Sequence, residues 1–245
     1  MEEILIVDHD HFELSANQYL GTVHPTGYSF IESFTCDTNI ACWIYSVNEN
    51  RISKTIRMVQ GQNTTIVTYK NLSGGAIGLQ LVPLLVYRDY YALFHKNERF
   101  NFYTQAISEQ YLKIYAGYGA HPLFIKFSKV TWKEEHNWFY NLQYEREKER
   151  GSDFEEDTIC IGKALIGPGN NDTMQIVFST EEIASKDFQF LPSAPFLPAL
   201  PIFVNDLVTS GNQFYCKQAQ HPWQNNYCRL PLVCRLGPRY HDSHS

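Results

Sequence analysis

Apolar residues recur mostly at every second position. Ile77, Leu79 and Leu81 alternate with Gly78 and Gln80, and Leu112 and Ile114 flank Lys113. Ile125 and Phe127 flank Lys126, Ile159 and Ile161 flank Cys160 ahead of Gly162, and Ile176 and Phe178 flank Val177 between Gln175 and Ser179. A two-residue period places successive side chains on opposite faces of an extended strand, so each run predicts a β-strand. Asn48-Glu49-Asn50, Ser73-Gly74-Gly75 and Pro168-Gly169-Asn170-Asn171 separate such runs and predict turns, because Gly and Asn tolerate positive φ. Strands without long helices between them predict an all-β fold of packed antiparallel sheets.

The pattern changes late in the chain. Thr180-Glu181-Glu182-Ile183 reads as a helix start, with a capping hydroxyl and carboxylates in the first turn. Residues 191–201 hold Pro192, Pro195, Pro198 and Pro201, which predict a linker or an extended crossing segment. Residues 202–217 carry Phe203, Leu207 and Phe214 at helical spacing and predict a short C-terminal helix weakened by Gly211. Residues 220–245 have neither period and predict no packed structure.

The 245 residues suffice for a single large β domain. Apolar content of 44% and charged content of 19% are those of a globular protein. Aromatics reach 15%, which suits strand cores and also rings that stack on sugars. A net charge of −6 argues against a nucleic-acid partner, which needs clustered Lys and Arg, and leaves a neutral polymer compatible. No apolar run reaches the roughly 18 residues of a membrane span, and the acidic start at Met1-Glu2-Glu3 does not resemble an export signal. A cytoplasmic location and no membrane partner are expected. The six cysteines form no C-x-x-C pair and are expected as free thiols. No phosphate loop, nucleophile elbow or cofactor motif occurs, so no cofactor is expected. Alternate residues His9 and His11 share one strand face, but an exposed turn is the favoured reading over a metal site.

Three blocks carry a family resemblance. They are Glu13–Tyr19 with Gly21–Pro25, then Gly61–Tyr69 with Leu81–Tyr90, then Trp138–Asn141 with Tyr144–Asp157. In that order they resemble the N-terminal domain of bacterial and archaeal glycogen debranching enzymes. The resemblance implies an antiparallel β-supersandwich that packs on an (α/α)6 barrel, helps shape an α-glucan site, and leaves amylo-α-1,6-glucosidase chemistry to the barrel. It implies three segments: a supersandwich over 1–190, a linker and helix over 191–217, and a tail over 218–245. The family's opening Gly-rich segment and Arg-Arg-Tyr-His-Gly block have no counterpart, so the first strands are expected to be missing. The family's later T-I-I-A-G-Y-x-W-F-x-D-W-G-R-D run is also absent. A one-base shift of a permitted back-translation of the tail can restore that run, so the tail is expected to be out-of-frame and disordered, and the chain an inactive fragment.

Glycosidic hydrolysis needs two opposed carboxyls. Glu145, Glu147, Glu149, Asp153, Glu155, Glu156 and Asp157 supply acids, but a charged loop or short helix with Glu–Arg support is the favoured reading. On the resemblance, Glu147, Arg150, Asp153 and Asp157 are candidates for sugar hydroxyls, with Trp138, Tyr140 and Tyr144 for stacking. Tyr87, Arg88 and Asp89 are further candidates, weighed against a buried Arg–Asp pair that fixes a strand end. Two alternatives stay open. One is a free-standing carbohydrate-binding sandwich. The other is an enzyme with its site inside the sandwich, for which His95 and His121 are candidates.

Overall fold

The computed structural model describes residues 1–183, apart from 38, 39, 60, 61, 90, 91, 129 and 170–172. The Pro-rich stretch, the 202–217 helix and the tail therefore lie outside the described residues.

Every strand pairing among the described residues is antiparallel. Strands β1 (Glu2–Val7) and β2 (Asp10–Glu13) form a hairpin, and β3 (Gln18–Tyr19) with β4 (Thr22–Val23) form a separate two-stranded ladder. The meander β5 (Ile31–Asp37), β6 (Ile40–Val47), β7 (Asn50–Met58) and β8 (Thr64–Asn71) follows. Next come β9 (Ile77–Val82) and β10 (Leu84–Leu85), then a second meander of β11 (Tyr103–Ser108), β12 (Tyr111–Tyr115) and β13 (Leu123–Phe127). Long strands β14 (Thr131–Gln143) and β15 (Glu155–Gly169) flank the short helix α1 (Glu145–Glu149), and β16 (Thr173–Ser179) ends the series.

The strands build two sheets. In the eight-stranded sheet, β16 lies between the meanders, pairing β13 on one side and β8 on the other. In the six-stranded sheet, β15 pairs β14 along one edge and β9 and β10 in succession along the other. Buried Pro83 separates β9 from β10; proline has no N–H to give a ladder, so the break falls there.

The sheets bury a shared core. Leu5, Leu79, Leu81 and Ala164 of one sheet meet Val67, Ile125, Phe127 and Ile176 of the other, each at most 4% exposed. Each fully buried Leu or Ile contributes roughly 1.5–3 kcal/mol. The alternations read at 77–81, 112–114, 125–127 and 176–178 all lie on strands. The expected turns at 48–50 and 73–75 are present, with Asn48 at φ 53°. Pro168 and Gly169 instead continue β15, and 170–172 lie outside the described residues.

A buried charge of β1 ties the two sheets. Glu3 on β1 is 1% exposed. Its carboxylate receives Lys54 Nζ from β7 at 2.5 Å and the Tyr69 hydroxyl from β8 at 2.5 Å. A carboxylate removed from water needs such partners, so the sheets are tied here by polarity as well as by apolar packing.

A second apolar cluster lies on the other face of the eight-stranded sheet: Val59, Ile66, Tyr111, Phe124, Val177 and Ile183. It corrects the helix start read at Thr180–Ile183, which forms no helix. The amides there are bound by side chains instead. Ser179 Oγ accepts the Glu181 N–H at 3.0 Å, and Tyr111 Oη accepts the Ile183 N–H at 2.8 Å. Burial of Ile183 outweighs the local helical preference.

Gly162 on β15 is packed too tightly for a side chain. A Cβ there would stand 2.3 Å from the Trp132 ring and 2.7 Å from the Lys133 carbonyl oxygen. Gly162→Ala is expected to lower stability by about 1–3 kcal/mol, read from the midpoint of urea unfolding.

Candidate functional site

The third sequence block forms the end of the sandwich where β14 turns into β15. Tyr144 precedes α1, and its N–H donates to the Phe154 carbonyl at 2.9 Å, closing the excursion. Gly151 at φ 71° ends the turn: the Ser152 N–H reaches Glu147 O and the Gly151 N–H reaches Lys148 O, both at 3.0 Å. The Glu–Arg support expected on this helix is present, Arg146 with Glu149 at 2.7 Å and Arg150 with Glu147 at 2.8 Å. Both pairs are exposed and contribute at most about 1 kcal/mol each.

Glu156 and Asp157, adjacent on β15, organise the surrounding loops. Glu156 is 1% exposed. Its Oε1 accepts the Phe94 N–H at 3.0 Å, it pairs with the Arg88 guanidinium, and its Oε2 accepts the Tyr144 hydroxyl. Asp157 takes the backbone. Its Oδ2 accepts the Lys96 N–H and its Oδ1 the Asn141 N–H, both at 3.0 Å, while its own N–H donates to Phe94 O at 2.7 Å. The Asn141 amide is free for this because β14 bulges: Phe139 pairs Thr158 and Leu142 pairs Glu156, so two residues oppose Asp157 alone.

The sequence candidates divide accordingly. Tyr87, Arg88 and Tyr144 line one cavity of about 570 Å³, and Glu156 braces the last two. Asp89 is exposed, and the buried carboxylate facing Arg88 is Glu156, which corrects the reading of Arg88 and Asp89 as a buried pair. Trp138 packs parallel to buried Phe94 at 5.9 Å, with Lys96 Nζ 5.4 Å from its ring centroid, so a protein ring already uses one of its faces. Tyr140 is exposed and bonded through its hydroxyl to Lys96 Nζ at 3.0 Å. Glu147 lies on α1 and Arg150 caps its C-terminus, and neither they nor Asp153 and Asp157 line the cavity.

The two histidines also part. His95 stands between carboxylates, with Nε2 3.6 Å from Asp153 and Nδ1 4.0 Å from Asp157, whereas His121 lines the cavity. His9 lies in the β1–β2 turn, exposed like His11. Among the described residues no group of three or more His, Cys, Asp or Glu is arranged to hold a metal. Sequence reasoning missed Glu156 as an organising residue and missed Gln143 and Thr158 as cavity wall. Two acids entering an apolar strand were the available signal, because a charge in that position needs buried partners.

Two measurements check this organisation. Arg88→Met leaves Glu156 with one fewer counter-group and is expected to cost about 3–5 kcal/mol of unfolding free energy, part of which the double variant Arg88→Met/Glu156→Gln recovers. The second concerns phenols. Burial pushes the Tyr144 pKa up, helped by its hydrogen bond to Glu156 and that carboxylate's charge; burial, then Glu3, does the same for Tyr45 and Tyr69. The folded state thus holds these protons while unfolded phenols release theirs near pH 10. Their stabilising contribution is complete below pH 10 and declines as pH rises above it toward the folded values. Phenolate absorbance is expected to show these three ionising only together with the loss of far-ultraviolet circular dichroism.

Among the described residues no helix is long and apolar enough to cross a membrane. No curated protein sequence matches the chain. Among solved structures it is similar to the 4-alpha-glucanotransferase of Thermococcus litoralis, at 11% identity and TM-score 0.35, over 73% of this chain and 27% of that one. It is also similar to heparan sulfate lyase HepC of Pedobacter heparinus, at 11% identity and TM-score 0.33, over 60% of this chain and 21% of that one. The chain therefore spans only about a quarter of the length of either protein. A family model described as glycogen debranching enzyme N terminal matches residues 1–174, most of the chain, ending within β16. The order of the three sequence blocks, the antiparallel sandwich they fold into and this match agree: the chain belongs to the glycogen debranching enzyme N-terminal family.

Proposed function

We propose that this chain is the N-terminal, glucan-site-supporting domain of a glycogen debranching enzyme acting in glycogen catabolism, with hydrolysis carried by a separate (α/α)6 barrel. In this reading α-glucan is the ligand and the barrel is the partner. Tyr87, Arg88 and Tyr144 form the inner wall of the contact, while Asp89, Trp138, Glu147, Arg150, Asp153 and Asp157 form its outer, loop-borne part.

The Glu156 cluster is the observation that carries this reading. It holds two connections, one bearing Arg88 and Phe94 and the other Tyr144, in one arrangement at one end of the sandwich. A site on loops is useful only when a rigid frame fixes them, and two long strands with buried carboxylates supply that frame. The same bonds argue against catalysis by these acids. Glu156 is committed to a guanidinium, an amide and a phenol, and Asp157 to two amides, so neither is free to serve as acid or nucleophile.

Electrophoresis through glycogen-containing gels, run beside an assay of glucose released from branched dextrin, tests the proposal. The chain alone is expected to be retarded only weakly and to release no glucose. Strong retardation would favour a free-standing carbohydrate-binding protein, and glucose release would defeat the supporting-domain reading.

A further inference from the structure

The cavity lies between the sheets at this end of the sandwich. Leu84 of β10 and Thr158 of β15 line it from one sheet, and Ile114 of β12 and Leu123 of β13 from the other. Its volume of about 570 Å³ falls in the roughly 300–1,000 Å³ range of small-molecule sites.

Its lining is of two kinds. Leu84, Leu85, Phe102, Ile114 and Leu123 offer carbon surface. Against them stands Thr158, 6% exposed, whose buried hydroxyl has no hydrogen-bond partner among the described residues. An unpaired buried hydroxyl costs free energy that a ligand hydroxyl can recover. Thr158 and Glu156 are two apart on β15, so their side chains leave the strand on the same side and both reach the cavity. Gln143, also 6% exposed, lines it as well and spends its amide N–H on Glu155 Oε1 at 2.8 Å, leaving its carbonyl oxygen for an incoming hydroxyl. The Arg88–Glu156 pair on the wall is neutral as a unit.

We infer that this cavity is a binding site for a small neutral saccharide, a mono- or disaccharide, with Thr158 and Gln143 as its buried polar contacts. A sugar presents C–H faces and hydroxyls together, which matches carbon walls interrupted by an unpaired hydroxyl and an amide oxygen. A purely apolar guest would leave Thr158 unpaired. A phosphorylated or acidic sugar would meet an Arg88 that Glu156 already neutralises. The choice of α-linked glucose as the sugar rests on the glucan reading above; the existence of the pocket does not.

Calorimetric titration of the full chain, tagged at its C-terminus because Met1 also lines the cavity, tests this with maltose, cellobiose and glucose 6-phosphate. Saturable binding of maltose is expected, with no gain for the phosphorylated sugar. Thr158→Val keeps the side-chain shape and is expected to weaken maltose about five- to ten-fold. Leu123→Trp fills the cavity and is expected to abolish binding, with circular dichroism confirming that both variants remain folded. Absence of saturable binding, or equal affinity in wild type and Thr158→Val, would overturn the inference. Equal binding of cellobiose and maltose, with no retardation by glycogen, would retain the pocket and remove the glucan reading.

Discussion

Two carboxylates taken out of water at consecutive positions of one strand set the terms for this end of the molecule. Neighbouring side chains on a strand leave from opposite sides, so Glu156 and Asp157 cannot share partners. Glu156 gathers Arg88, the Phe94 amide and Tyr144, while Asp157 gathers the amides of Lys96 and Asn141. Each acid would be strongly disfavoured without those donors, and all of them except the Asn141 amide of β14 belong to the connections outside the strands. The burial of charge thereby converts a strand into an anchor for the connections around it.

The anchoring explains why α1 can be so short. Five residues cannot sustain a helix by propensity. This one is closed by the Tyr144–Phe154 backbone bond and stopped at Gly151, and its Glu–Arg pairs are a minor addition. Its position follows from Glu156, which holds the Tyr144 hydroxyl from the other side of the chain.

Much of the architecture was legible in the sequence. Period-two runs at 77–81, 112–114, 125–127 and 176–178 announce strands because each has one face in a core, and Asn48 and Ser73–Gly75 announce turns because their residues tolerate turn geometry. The site was legible only in part. Block resemblance brings forward Arg88 and Tyr144, which the structure joins through Glu156. It does not separate Trp138, packed on Phe94, from residues that face open space, since aromatic stacking on a protein ring and on a sugar use the same side chain. Thr158 and Gln143 were silent because a hydroxyl or amide on a strand looks the same in sequence whether it is bonded or left unpaired. The misread helix start at Thr180 failed for a related reason: Tyr111 lies far away along the chain, and only the folded sheet brings its hydroxyl to the Ile183 amide.

The location of β16 has a consequence for what counts as one folding unit. The family match stops at residue 174, the second residue of that strand. Yet β16 is the seam along which two meanders are joined into one sheet, and the chain just beyond it carries Ile183 onto the far side as a clasp. A boundary drawn by sequence similarity would thus cut the sheet down its middle and leave two ribbons with facing unpaired edges. The packed sandwich extends at least through Ile183, so it reaches beyond the segment that sequence kinship marks out.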